Sequence, residues 1–203
     1  MWAKNLFYFH DIWKDVRLLI LFNTLKASPD GLTYYDLQKF GKDPINVRDL
    51  YFLSVKDLNE IPSDITLSSP NFACLIVWDS RNATVDEISS IAEPLLEYGC
   101  SYFCSWGPGC ERVHDIIDEI DSKKFIDLGS SEESIIMTTW RNDEILQEAL
   151  YFFLNETWPD EYYEGTTLSS LAIVIGNQEW SEIVKKALME PGKFNDNYIN
   201  NEC

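Results

Sequence analysis

"FACLIVWDSRNATVDEISSIAEPLLEYGCSYFCSW", residues 72–106, decides the architecture. It opens on seven apolar residues, turns through Asp79–Asn82, continues with a helical period and closes on a second apolar run. Val85, Ile88, Ile91, Leu95 and Tyr98 recur at three- and four-residue spacing, the period of a helix with one buried face. Thr84 with Glu87 three residues on makes a capping box, which satisfies the first free amides of a helix. Pro94 lies inside that period and is expected to kink the helix or split off its last turn.

The same unit returns along the chain. "FACLIVW" (72–78), "CSYFCSW" (100–106), "SIIMTTW" (134–140) and "SLAIVIG" (170–176) are apolar on both parities, as parallel strands buried on two faces are. Their starts lie about 28, 34 and 36 residues apart, the length of a strand–helix–strand unit. Helices are expected from Val113 through Ile120, from Asn142 with Ile145, Leu146, Ala149, Leu150 and Phe153 buried, and from Asn177 with Trp180, Val184, Ala187 and Leu188 buried. The expected fold is α/β: a mainly parallel sheet of four to five strands flanked by helices, in Rossmann-like layering. Residues 63–190 form this domain. Residues 1–62 read as an N-terminal helical appendage ("HDIWKDVRLLILFNTLKAS" helix, "PDG" turn, "LTYYDLQKF" helix, "VRDLYFLSV" strand), compatible with a winged helix or with an arm packed on the sheet. Residues 191–203 read as a flexible tail. The polar segment 121–133 and the acidic, aromatic segment 155–168 read as long loops.

Charge divides the 203 residues as sharply. Residues 1–60 hold eight Lys/Arg and eight Asp/Glu, and residues 61–203 hold eight and 26, so the net −18 resides wholly in the second part. Such a surface repels phosphate backbones, which bind through Lys and Arg, and Lys39, Lys42 and Arg48 are too sparse for a DNA-reading face. No direct nucleic-acid binding is expected. The longest apolar runs are shorter than the roughly 18 residues that mark a membrane span, and no charged-then-apolar segment with a cleavage site opens the chain. Five cysteines without a CxxC pair read as reduced core residues, so a cytoplasmic setting is expected.

Parallel strands deliver their carboxyl ends to one edge, where open α/β folds bind ligands. That edge gathers "WDSRN", "WGPGC", "TTWRN" and "IGNQEW". Asp79, Arg81, Trp106, Gly107, Gly109, Thr139, Arg141 and Asn177 are the candidate ligand-binding residues, with the two arginines and the helix amino termini suited to an anion. The bland reading makes the same residues turns, caps and local ion pairs. No G-x-G-x-x-G follows a strand and no Walker motif occurs, so no cofactor is expected. His10 and His114 alone exclude a multi-histidine metal site. Cys110 with His114 four residues on is the weak catalytic candidate, a thiol at a helix amino terminus beside a base. Glu111 and Asp115 oppose it by raising the thiol pKa, and no third orienting residue is identifiable. In the acidic loop, Trp158, Asp160, Glu161, Tyr162 and Tyr163 offer rigid aromatic area among acids, the composition of a partner-binding surface. The contrary reading folds those rings back over the sheet.

"VWDSRNAT", "CSYFCSWGPGCERVHDIIDE", "MTTWRNDEILQEALYFFL" and "AIVIGNQEW" together resemble an uncharacterised bacterial domain-of-unknown-function family over residues 72–184. The resemblance implies a bacterial, cytoplasmic protein and no particular activity. The leading functional expectation is a non-catalytic acidic module of immunity, inhibitor or accessory type, binding a protein with a basic surface. The alternative is a small-ligand-binding or enzymatic domain using the carboxyl rim.

Overall fold

The computed structural model describes residues 37–128 and 135–201. Its centre is one six-stranded sheet in the order β1-β2-β6-β3-β4-β5. β1 is Gln38–Lys42, β2 Asp49–Val55, β3 Asn71–Trp78, β4 Cys100–Trp106, β5 Met137–Arg141 and β6 Thr167–Ile175. β2, β6, β3, β4 and β5 run parallel, and only β1 is antiparallel, closing a hairpin with β2. The four expected strands are present. The alternating parity of β3 divides the interior: Phe72, Cys74 and Ile76 face one core, and Ala73, Leu75 and Val77 face the other.

Helices cover both faces. α1 (Val85–Glu97) and α2 (Cys110–Leu128), with a 3-10 turn at Leu58–Glu60, lie on the Phe72 side. On the Ala73 side lie α3 (Leu146–Asn155), α5 (Gln178–Met189) and α6 (Pro191–Asn201), and a single turn, α4 (Glu161–Glu164), precedes β6. The Thr84 capping box forms as expected: Thr84 Oγ1 accepts from Glu87 N at 3.2 Å, and the Glu87 carboxylate accepts from Thr84 N at 2.7 Å. Pro94 does not split α1, because the carbonyl deprived of its partner belongs to Ser90, which is exposed to water. Tyr98 N–H donates to Pro94 O at 2.9 Å and keeps the last turn attached.

Several boundaries differ from the sequence reading. The sheet has six strands because part of the supposed appendage belongs to it. β2 fills five of its seven positions with buried side chains and pairs with β6 along its whole length. The described end of "LTYYDLQKF" is strand β1, not helix. Gln38 and Phe40 are half-buried while Lys39 is exposed, and so short a stretch satisfies a period of 2 as well as 3.6. Residues 1–36, including the first expected helix, lie outside the described residues. α2 runs through residue 128, so most of the expected 121–133 loop is helical. α3 begins at Leu146, and neither Asn142 nor the exposed Ile145 belongs to it. Through Asn201 the expected tail is helix α6. Its Asn195 is buried and exchanges amide hydrogen bonds with Asn155 at 2.9 and 3.1 Å, while Tyr198 stacks on Tyr151 at 4.3 Å. Among the described residues no helix is long and apolar enough to cross a membrane.

Candidate functional site

The five parallel strands end on one rim, and the turns beyond β3 and β4 pack directly on each other there. Ser80 N–H donates to Pro108 O at 2.9 Å. Gly107 and Gly109 sit at φ 114° and 86°. A Cβ on Gly107 would stand 2.5 Å from Trp78 O, and one on Gly109 would stand 2.9 Å from Arg81 N. The absent side chains therefore make room for the neighbouring turn, and the space above "WGPGC" is occupied by protein.

The eight rim candidates fall into separate groups. Asp79 and Arg81 grip each other, Nε to Oδ1 at 2.8 Å and Nη2 to Oδ2 at 2.6 Å, and this bidentate contact holds the Asp79 carboxyl below its ordinary range. Arg141 donates from Nε to Glu144 at 2.7 Å and lies 4.0 Å from the Phe152 ring. Trp106 donates from its indole to Glu144 O at 2.9 Å and meets Trp180 edge-on at 5.1 Å. Asn177 caps α5 through Trp180 N at 3.0 Å. Trp106, Arg141 and Asn177 thus join one cluster through Glu144 and Trp180. Asp79, Arg81, Gly107 and Gly109 form another in the stacked turns. Thr139 belongs to neither; its hydroxyl turns toward Phe103 O, in the β4–β5 ladder.

Cys110 opens α2, as expected, but is 1 % exposed. Burial pushes its thiol up, although the backbone N–H groups of Arg141 and of its own first turn pull the other way. A nucleophile needs the opposite shift. The His114 ring is engaged elsewhere, 4.4 Å from Trp140, with Nδ1 3.2 Å from Asp115 and Nε2 3.4 Å from Asp118. Cys74, Cys100 and Cys104 are core residues, and burial pushes Cys104 up to about 12.

Two rings of the acidic loop stand outside, and Tyr163 is half-buried. Trp158 is 58 % and Tyr162 61 % exposed, Tyr163 meets Tyr162 edge-on at 5.0 Å, and Asp160 caps the α4 turn through Tyr162 N at 3.0 Å. Glu161 adds a further exposed acid. What holds this loop is Arg48, a residue that sequence reading had weighed only as a sparse cation. Arg48 is buried and donates from Nη1 to Thr157 Oγ1 at 3.0 Å and from Nη2 to Thr157 O at 2.8 Å. Burial lowers its pKa, and the nearby Asp43 carboxylate partly restores it. Asn46 ties the β1–β2 turn to α3 by donating to Leu154 O. In that turn Val47 sits at φ 59°, a region a β-branched residue rarely adopts, and Ile45 and Val47 are both exposed. No local sequence signal marks this anchor, since its partner lies 109 residues away.

A groove of about 460 Å³ between α1 and residues 57–65 also escaped the sequence reading. Its two acids are committed locally, Asp57 to Asn59 N and Glu87 to the capping box.

A family model described as a domain of unknown function (DUF7684) matches residues 50–191, from β2 to the start of α6. It spans all five parallel strands and the acidic loop. No curated protein and no solved structure matches the chain. With most of its length matched, the chain belongs to this domain-of-unknown-function family.

Proposed function

We propose that this member of the family is a non-catalytic, acidic protein-interaction module of immunity, inhibitor or accessory type, acting in a bacterial cytoplasm on a partner with a basic surface. One observation carries the reading: Trp158 and Tyr162 stand outside the core on a loop that a buried arginine fixes from beneath. Ordering an aromatic loop before contact reduces the entropy lost on binding, and rigid aromatic anchors ringed by polar groups carry much of an interface's energy. The exposed Ile45 and Val47 on the turn tied to the same anchor extend the apolar area, and the strain at Val47 is of the kind that collects at functional surfaces. The net −18 supplies steering toward a cationic partner and rejection of nucleic acid. The alternative, a ligand on the carboxyl rim, starts from arginines already paired, Arg81 with Asp79 and Arg141 with Glu144.

Affinity capture from an extract of the native host tests the proposal, with the native chain beside a Trp158→Ala/Tyr162→Ala double variant of equal melting temperature. A partner held by the native chain, released by added salt and lost with the double variant is the expected result. Recovery of the same proteins by both chains would sink it.

A further inference from the structure

We infer that the outer edge of β5 is a second docking site, which accepts an extended segment of a partner protein bearing Lys or Arg at alternate positions. An edge strand offers unpaired backbone N–H and C=O groups to any added strand, and proteins blunt such edges with lysine, proline, bulges or cover. Among the described residues β5 pairs with β4 alone, in unbroken register from Tyr102↔Met137 to Trp106↔Arg141. It contains neither lysine nor proline. Thr139 turns its carbonyl toward β4, where it lies 3.3 Å from Ser105 Oγ. The alternation of a strand then turns the backbone groups of Thr138 and Trp140 outward.

The side chains beside this edge define the occupant. Met137 is 38 % and Trp140 42 % exposed, apolar area in line with an added strand. α2 lies along the face of β5 that Thr138 and Trp140 share, opposite Met137, with Asp118 accepting from Thr138 Oγ1 at 2.6 Å and His114 against Trp140. Glu111, Asp115 and Asp118 share one face of α2 by their four- and three-residue spacing, and all three are exposed. An added strand projects every second side chain toward that acidic face, so cations at alternate positions would meet carboxylates while the backbone pairs with Thr138 and Trp140. A second copy of this chain fits poorly. Antiparallel pairing of two β5 strands would bring the acids of both α2 helices to one side of the joined sheet. The inference rests on the proposed basic partner but uses a surface other than the Trp158 loop, so the two can fail separately.

The probe is a labelled nine-residue peptide alternating Lys with Val and Thr, compared by fluorescence anisotropy with a peptide of the same composition whose lysines are consecutive. The alternating peptide is expected to bind at least about tenfold tighter, and the Thr138 and Trp140 amides to gain protection from hydrogen exchange when it binds. Thr138→Pro removes an outward N–H that the β4 ladder does not use, and should weaken binding about tenfold or more. Thr138→Val, which loses only the hydroxyl contact with Asp118, should retain binding and so separates backbone pairing from damage to the strand. Asp115→Lys with Asp118→Lys should abolish the preference for the cationic peptide, and Trp158→Ala should leave it unchanged. Equal affinity for the two peptides, indifference to Thr138→Pro in a folded protein, or loss of binding with Trp158→Ala would each overturn the inference. So would a concentration-dependent dimer of the native chain that Thr138→Pro dissolves, since a second copy would then be the occupant.

Discussion

The two edges of the sheet are five-residue strands built to opposite specifications. β1 carries Lys39 and Lys42, its register slips between them, and Gly41 at φ 96° marks the irregularity. Both lysines reach back to Asp49 at the start of β2, at 2.9 and 3.1 Å, and Ser68 donates to the same carboxylate. One residue earlier, Arg48 locks the turn side of the hairpin to Thr157. Among the described residues β5 has no comparable clamp along its outer side, and its exposed positions are Met137 and Trp140. Lysines and irregularity at one edge discourage strand addition, and β5, whose single cation Arg141 is paired with Glu144, lacks both. A fold of this kind can thus reserve one edge for a partner without exposing both to aggregation.

The strongest way to break this contrast is at Arg48. Truncating a buried guanidinium that donates to both Thr157 Oγ1 and Thr157 O removes a donor from each, although the hydroxyl keeps its own bond to Phe153 O, and opens a void beneath the loop. Arg48→Ala is expected to cost about 3 kcal/mol, the range for breaking a buried polar network. The midpoint of urea unfolding measures the loss. Faster proteolysis around Trp158 in the native state would show that the arginine holds the loop as well as the hairpin. An unchanged cleavage pattern would make Arg48 a purely structural brace.

Asp49 allows a graded test of the same edge. Burial pushes its carboxyl up, but the Ser68 hydroxyl and the two lysines more than offset this and hold it at about 2, against 3.8 for the free group. A folded-state pKa below the unfolded one contributes stability that is complete above the unfolded value and disappears as pH falls through the folded value. The contribution should therefore be intact at pH 5 and above and fade between pH 4 and 2. Asp49→Asn should cost roughly 1–2 kcal/mol at neutral pH and flatten the stability profile across that acid window. Equal acid sensitivity in the variant would place the titrating group elsewhere.

Val47 carries the contrast to the hairpin turn, where strain and exposure coincide. Glycine adopts φ 59° without penalty, so Val47→Gly is expected to raise stability by up to about 1 kcal/mol. If the exposed valine serves binding, the same variant should weaken partner capture. A stabilised protein with unchanged capture would assign the valine to the turn alone.

How far these features can be read in the chain depends on how local their causes are. β3, β4 and β6 announce themselves because their side chains are apolar on both parities, and the Thr84 capping box is complete within four residues. β1 resisted because "QKFGK" is short and polar, and its strand state comes from pairing with β2. α6 was hidden by its asparagines, one of which is a buried partner for Asn155. At the rim, strand direction gathers the named residues to one edge. It does not reveal that Arg81 is taken by Asp79 two residues away, or that the glycines accommodate a neighbouring turn. The exposed Trp158 and Tyr162 were legible as one of two alternatives. Arg48 beneath them and the side of β5 left unpaired among the described residues were not, since both follow from strand order, a property of the whole sheet.

The smallest expected effect is also the sharpest comparison. Thr138→Lys would place on β5 the residue type that guards β1, at a half-buried position whose outward backbone takes no part in the β4 ladder. Surface changes of this kind move stability by less than about 0.5 kcal/mol, and loss of the hydroxyl contact with Asp118 is offset by a new cation beside the same carboxylate. The folded protein should therefore be nearly unaltered, while pairing with an extended cationic segment is opposed by like charge at its centre. The alternating-lysine peptide should lose affinity for this variant and recover part of it in high salt, where charge repulsion is screened. A peptide of alternating glutamates should gain. If both peptides bound the variant as they bind the native chain, the two edges would differ in sequence but not in availability, and the guard on β1 would need another explanation.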